Sequence, residues 1–285
     1  MIKSIKKLRE NKLKILTVIF FLFFSLNSFS KEKGSQEYSK YFPKMQGCFL
    51  LYNINSQKFE KIIGEENCKK RLTAFSTFKI PLAVMALDAE LIKDENQIIK
   101  WDGKKRARVA WNQDQNAKTW LRDSVVWVSQ EFTTKLGHEK FKKYLNDFKY
   151  GNADISSGIT TAWLNYPDDK IKGLTISPYE QVDFMKRLWT NDLPVAKRAM
   201  QITQEISYLE TTPKGFKIYG KTGSQSYKSN QKRKAGWFIS RVSDGKKDYI
   251  TVLNFKDLSV PKGNEYGGPR AKALTKVILQ NSGIW

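Results

Sequence analysis

Histidine is almost missing from this chain: of 285 residues, His138 is the only one. A His-rich metal centre is therefore excluded, and no other cluster of ligand residue types stands out. A Ser-His-Asp or Cys-His engine would have to use His138, but no G-x-S-x-G turn accompanies it. It sits in Leu136-Gly137-His138-Glu139, at an expected helix start, and reads as a surface residue. Cysteine is nearly as scarce, with only Cys48 and Cys68. Phe49–Ile54 and Phe59–Ile63 read as two strands joined by the turn Asn55-Ser56-Gln57-Lys58, which brings the chain back on itself. The two thiols could then pair or stay as two buried thiols, and the sequence leaves both open. Internal repeats and long low-complexity segments are missing as well. Beyond the first thirty residues no apolar run is long enough to cross a bilayer.

The N-terminus is the exception to the polar character of the chain. Lys3, Lys6, Lys7, Arg9, Lys12 and Lys14 precede an almost wholly apolar run from Ile15 to Leu26, and Ser28 and Ser30 supply small residues at a cleavage site. This is the pattern of a secretory signal peptide over residues 1–30, and its apolar run is short for a spanning helix. The expected location is periplasmic or secreted, with no stable membrane insertion after cleavage. The precursor carries a net charge of +22. Its lysines are scattered and no nucleic-acid motif is present, so the charge favours anionic small ligands over nucleic acid. Either a monomer or a homodimer is compatible with the chain.

The order of patterns suggests the architecture. The hairpin is followed by a helical stretch from Ser76 to about Ala89. Helical patterns then recur at 116–131, 138–147 and 178–190. Ser177-Pro178-Tyr179-Glu180 is a helix start, with Ser at the cap, Pro at the first position and an acid in the first turn. Strand patterns return at Lys217–Gly220, Ala235–Val242 and Tyr249–Phe255, before a closing helix from about Pro269 to Gln280. Strands at both ends with helices between them predict an α+β fold, an antiparallel sheet flanked by helices with an inserted, mainly helical lobe. Residues 31–285 read as one catalytic domain. Its sheet lobe comprises about 45–88 and 205–285, and its helical lobe about 89–204.

Without a usable histidine, a nucleophilic serine needs another base, and lysine serves if its amine is neutral or chemically converted. Ser-x-x-Lys places the two on one helix face, a turn apart. The pattern occurs seven times here, starting at Ser4, Ser28, Ser30, Ser76, Ser229, Ser243 and Ser259. Only Ser76-Thr77-Phe78-Lys79 opens an apolar helix, where unsatisfied N–H groups favour developing negative charge. Lys221-Thr222-Gly223 occurs once, at the end of an expected strand. In it, Lys offers charge, Thr a hydroxyl, and Gly a close approach to the backbone. In this order the two motifs form the signature of penicillin-recognising serine enzymes.

Over nearly all of its length after residue 30, the chain resembles the class D (oxacillinase-type) β-lactamases. The resemblance rests on Ser76-Thr77-Phe78-Lys79, Ser124-Val125-Val126-Trp127, Tyr150-Gly151-Asn152, Trp163-Leu164, Lys221-Thr222-Gly223, Gly236-Trp237 and Arg270, in order and spacing. Lys100-Trp101-Asp102-Gly103 and Ser177-Pro178-Tyr179-Glu180-Gln181 are softer matches. Ser-Val-Val stands where class A enzymes have Ser-Asp-Asn.

The resemblance implies a penicillin-hydrolysing resistance enzyme with Ser76 as nucleophile and Lys79 as an N-carboxylated lysine. It needs carbon dioxide or bicarbonate for that modification, and no metal or other cofactor. A neutral amine is required, and burial near Phe78, Val125 and Trp163 would lower the lysine pKa to provide it. The Trp163 indole would then donate to the carbamate. Ser124 would bridge Lys79 and Lys221. The substrate carboxylate would be held by Lys221, Thr222 and Arg270, beside Gly223. The backbone N–H groups of Ser76 and Ser224 would form the oxyanion hole.

Three features depart from the family. Phe75 precedes the nucleophile where a small residue is common, and Ser224 stands where an aromatic is common. The basic segment 226–234 would border the site. Two rival functions share these motifs: a β-lactam-sensing domain that acylates without turnover, and a penicillin-binding peptidase. The sensor would be expected to carry an anchor and a cytoplasmic part, and the peptidase extra domains.

Overall fold

The computed structural model describes residues 34–167 and 172–285. The expected signal segment, residues 1–30, lies outside the described residues. The chain divides into two units with the boundary after Pro43. In the first, residues 34–41 are helical (α1). The second, Lys44–Trp285, carries the sheet and every candidate site residue.

Six strands form one antiparallel sheet in the order β2-β1-β8-β7-β6-β5. They are β1 (Met45–Asn53), β2 (Lys58–Ile63), β5 (Tyr208–Thr211), β6 (Lys217–Ser226), β7 (Lys234–Ser243) and β8 (Asp248–Asp257). The central strands β1, β7 and β8 read as nearly continuous apolar runs because both faces of the sheet are covered. The edges are handled differently: β2 (KFEKII) is charged and largely exposed, and β5 has only four residues. The expected α+β sheet-and-helix architecture is what the chain forms. The expected hairpin is β1–β2, and it holds Cys48 and Cys68 together as a disulfide across the short helix α2 (Glu65–Cys68).

Alternation along each strand sends side chains to two separate layers. Gly236 of β7 points at helix α8 (Gly267–Asn281), where any Cβ would fall 2.1 Å from the Gly267 carbonyl oxygen, so the helix start lies directly on the strand. Trp237, one residue on, points the other way and donates from Nε1 to the Thr73 carbonyl at 3.0 Å. That second layer holds the main core. It includes α3 (Lys79–Asp88), α4 (Ala117–Asp123), α5 (Val126–Asp147), α6 (Pro178–Trp189) and α7 (Lys197–Ile206). Residues Lys79 to Leu87 of α3 are all buried, as a helix apolar on every side must be.

Boundaries differ from the sequence reading in three places. The stretch expected as one helix over 116–131 is broken at Ser124, which takes the left-handed conformation (φ 58°) at the end of α4. Ser76 lies in a 3-10 turn, Phe75–Phe78, that precedes α3. Lys221-Thr222-Gly223 lies inside β6, which runs on to Ser226. The predicted start at Ser177 is a full capping box: Glu180 N–H donates to Ser177 Oγ, and Ser177 N–H to the Glu180 carboxylate at 2.8 Å. His138 restarts the helix after the kink at Gly137 (φ 71°) and is exposed beside Glu139.

Candidate active site

The nucleophile turn is held from three directions. From the sheet, Trp237 grips the Thr73 carbonyl just before it. From α6, the buried Gln181 Nε2 donates to Thr77 Oγ1 and to the Tyr150 hydroxyl, both at 3.2 Å. The turn also binds itself, through Thr77 Oγ1 donating to the Ala74 carbonyl at 2.6 Å. Phe75, fully buried, is forced to φ 49°. A bulky residue there costs on the order of 1–3 kcal/mol and persists only when its surroundings over-determine it. This aims the next residue, Ser76, into the cavity.

Tyr150-Gly151-Asn152 secures the same region. Gly151 (φ 58°) packs so close to β4 (Thr175–Ile176) that a Cβ would lie 1.9 Å from the Thr175 oxygen. Asn152 Oδ1 accepts from Thr175 N–H at 2.9 Å, and Asn152 Nδ2 donates to the Gly173 carbonyl at 2.9 Å. This motif is a clamp, placed away from the cavity lining.

Ser76, Ser124, Lys221, Thr222 and Ser224 line one cavity of about 340 Å³, so five of the sequence-predicted residues converge. Lys79 Nζ donates to Ser76 Oγ at 3.5 Å. Lys79 is completely buried, and burial together with the nearby positive charges of Lys221 and Arg108 holds its amine well below the usual lysine range. Lys221 is pushed down to about 8, again chiefly by burial, and its Nζ donates to the Thr222 carbonyl at 3.1 Å.

Trp163 is fully buried, stacked on Phe78 at 4.9 Å between ring centroids. Its indole Nε1 has no hydrogen-bond partner, although a buried donor nearly always finds one. Phe78 and Val125 are fully buried as well.

The strand geometry explains the Ser224 amide. Gly220 N–H donates to the Ser207 carbonyl, on the β5 side of β6. Amides alternate sides along a strand, so those of Thr222 and Ser224 point to the same edge. β5 pairs only with residues 217–219, and beyond them that edge faces the cavity. Ser224 Oγ is occupied, accepting from Gly268 N–H at 2.7 Å. Gly223 faces the nucleophile turn, with a would-be Cβ 3.1 Å from the Ala74 oxygen.

Arg270 is not brought to this cavity. Its guanidinium makes two 2.9 Å bonds to Asp257, which is nearly inaccessible, and lies 4.6 Å from the Phe255 ring. A helix turns about 100° per residue. Pro269 therefore lines the cavity while Arg270, expected at the substrate carboxylate, faces β8 and pairs with Asp257. The basic segment 226–234 supplies no lining residue, but its Lys234 borders the cavity, 5.8 Å from the ring centroid of the wall residue Tyr266.

Val126 and Leu164, from the quoted motifs, also line it, and the rest of the wall was not singled out in the sequence as part of a site: Arg108, Trp111, Arg122, Asp123, Gln225, Tyr266 and Pro269. In sequence, Arg108 is one cation in a run with Lys104, Lys105 and Arg106, the pattern of a solvated loop.

The family described as penicillin binding protein transpeptidase domain matches residues 47–280. The chain is 40% identical over 206 residues to the β-lactamase OXA-1 of Escherichia coli, covering 70% of this chain and 72% of that one. Among solved structures it is similar to the class D β-lactamase BAT-2, at TM-score 0.75 and 31% identity over 87% of this chain and 96% of that one. It is also similar to the C-terminal domain of the Bacillus licheniformis BlaR penicillin-receptor, at TM-score 0.77 and 27% identity over 87% and 95%.

Proposed function

The chain belongs to the class D β-lactamase family, and on that premise we propose that it hydrolyses the lactam amide of penicillin-type antibiotics through an acyl-enzyme on Ser76, with Lys79 N-carboxylated. One observation carries the reading: Ser76 Oγ lies 3.5 Å from a lysine amine whose proton affinity burial lowers well below the usual lysine range. The orphaned Trp163 Nε1 supports the modification, because a carbamate is an acceptor in need of such a donor. When formed, the carbamate supplies the basic oxygen that takes a proton from Ser76 and, later, from water.

The rest of the chemistry belongs to the side chains. Ser76 Oγ attacks the lactam carbonyl, and the N–H groups of Ser76 and Ser224 receive the negative oxygen, each worth about 3 kcal/mol at the transition state. Ser124 passes a proton toward the leaving ring nitrogen, with Lys221 stabilising the departing charge. Thr222 and Lys221 hold the substrate carboxylate. The enzyme acts after export as a periplasmic or secreted protein, which the Cys48–Cys68 disulfide supports. Among the described residues no helix is long and apolar enough to cross a membrane.

The test is steady-state hydrolysis of benzylpenicillin after the protein has been held at low pH without carbon dioxide. Acid protonates the Lys79 amine and so removes its carboxylation. Activity should be low and recover severalfold on adding bicarbonate at neutral pH. Turnover indifferent to bicarbonate overturns the carbamate. A stable acyl-Ser76 without turnover would instead favour a receptor-like sensor, the reading raised by the likeness to the BlaR domain.

A further inference from the structure

Of the two arginines in the cavity wall, Arg108 is the one for which the described residues offer no carboxylate partner. The other arginines nearby are committed: Arg122 is bidentate on Asp123, at 2.9 and 2.7 Å, Arg106 on Asp102, at 2.8 and 2.6 Å, and Arg270 on Asp257. Arg108 instead lies over two aromatic rings, 5.2 Å from the centroid of Trp111 and 5.6 Å from that of Tyr266. Ring contacts of this kind engage the face of a guanidinium and leave the N–H donors along its edge available to an anion.

The segment that presents it is braced at several points. Arg106 N–H donates to Asn112 Oδ1 at 2.8 Å, and Asn112 Nδ2 returns a bond to the Arg106 carbonyl at 2.9 Å. Trp111 Nε1 donates to the Asp123 carbonyl, and Trp127 Nε1 to the Trp111 carbonyl, each at 2.9 Å. The loop is thus pinned to the end of α4 and to α5, which lowers the entropy lost when Arg108 is immobilised by a ligand. Arg108 is close enough to the catalytic groups for its charge to depress the proton affinity of both Lys79 and Lys221.

We propose that Arg108 recognises the ring carboxylate of the β-lactam substrate, together with Lys221 and Thr222, in the place that the sequence motif assigned to Arg270. The proposal deepens the hydrolase reading and rests on it for the identity of the ligand. A planar fork matches a carboxylate with two parallel bonds, which the ammonium of Lys221 cannot do.

The test separates recognition from chemistry by measuring binding to the non-reacting Ser76→Ala protein. The ligands are benzylpenicillin and its methyl ester, in which a methyl group caps the carboxylate and removes its charge. Ser76→Ala protein should bind the free acid at least about tenfold more tightly than the ester, the worth of a charged hydrogen bond. Adding Arg108→Ala should remove most of that preference, and Arg108→Lys should restore part of it. A preference left undiminished by Arg108→Ala overturns the proposal. So does no preference at all, or an equal weakening of both ligands, which would make Arg108 only a brace for Trp111 and Tyr266. Turnover of the unsubstituted protein is scored separately, so failure of the hydrolase reading remains visible in its own right.

Discussion

The floor and the rim of the cavity are built on opposite principles. The floor is the 3-10 turn and the start of α3, with Lys79, Phe78 and Trp163 wholly buried. The rim is made of loops bearing Arg108 and Tyr266, both exposed. In the floor, desolvation does the chemical work, since removing water favours a neutral lysine and leaves an indole donor without a partner. At the rim, water competes for every polar group, and Arg108 acts through charge and shape. The comparison teaches that reactivity in this protein depends on burial, and selection of the ligand on exposed, braced cations.

The comparison is broken most severely by Lys79→Ala. Acylated Ser76 should then accumulate, with deacylation slowed on the order of a thousandfold or more, as for loss of a catalytic base. Rapid-quench mass spectrometry of the acyl-enzyme reads this directly, and retained turnover would contradict the role given to the floor. Trp163→Phe is a finer cut. It keeps the ring stacked on Phe78 and deletes only the indole donor, so the bicarbonate needed for half-maximal activity should rise by about tenfold, the value of one charged hydrogen bond. An unchanged bicarbonate requirement would mean that Trp163 is core alone.

Asp257→Ala sharpens the contrast between the two arginines. It leaves Arg270 half-buried and unpaired, and breaking such a pair costs about 3 kcal/mol of stability. The denaturation midpoint should fall, while KM for benzylpenicillin stays within about twofold, because Arg270 faces β8 and not the cavity. A large KM effect with intact stability would return the carboxylate to Arg270. The smallest effect belongs to pH. Lys221, with a folded pKa near 8 against an ordinary 10.5, loses its charge as pH rises through 8. KM for the free acid should therefore climb gradually above pH 8, with no such climb for the methyl ester.

The strand and helix order, the capping box at Ser177 and the hairpin were legible because each has a local cause, whereas the grouping of Ser76, Ser124, Lys221, Thr222 and Ser224 was legible only through the family resemblance. Apolar alternation, turn residues and caps act over a few neighbours. The breaks were harder to read. Nothing local announces that Ser124 adopts φ 58° at the end of α4, or that β6 continues through Lys221-Thr222-Gly223, where pairing with β7 stabilises the strand from a distance. The cysteine pairing was equally open until the hairpin's register was known.

The sequence by itself determined which chemistry is available: a serine and a lysine on one helical turn, a second lysine on a strand, and no histidine to compete with them. Tertiary structure alone decided which charges reach the ligand. Arg270 and Arg108 are alike as residues, and a motif favours the first. Helix phase turns Arg270 onto Asp257, while Trp111 and Tyr266 hold Arg108 over the cavity. Pairing of charges depends on what the folded chain places within a few ångströms, and local sequence carries no record of that distance.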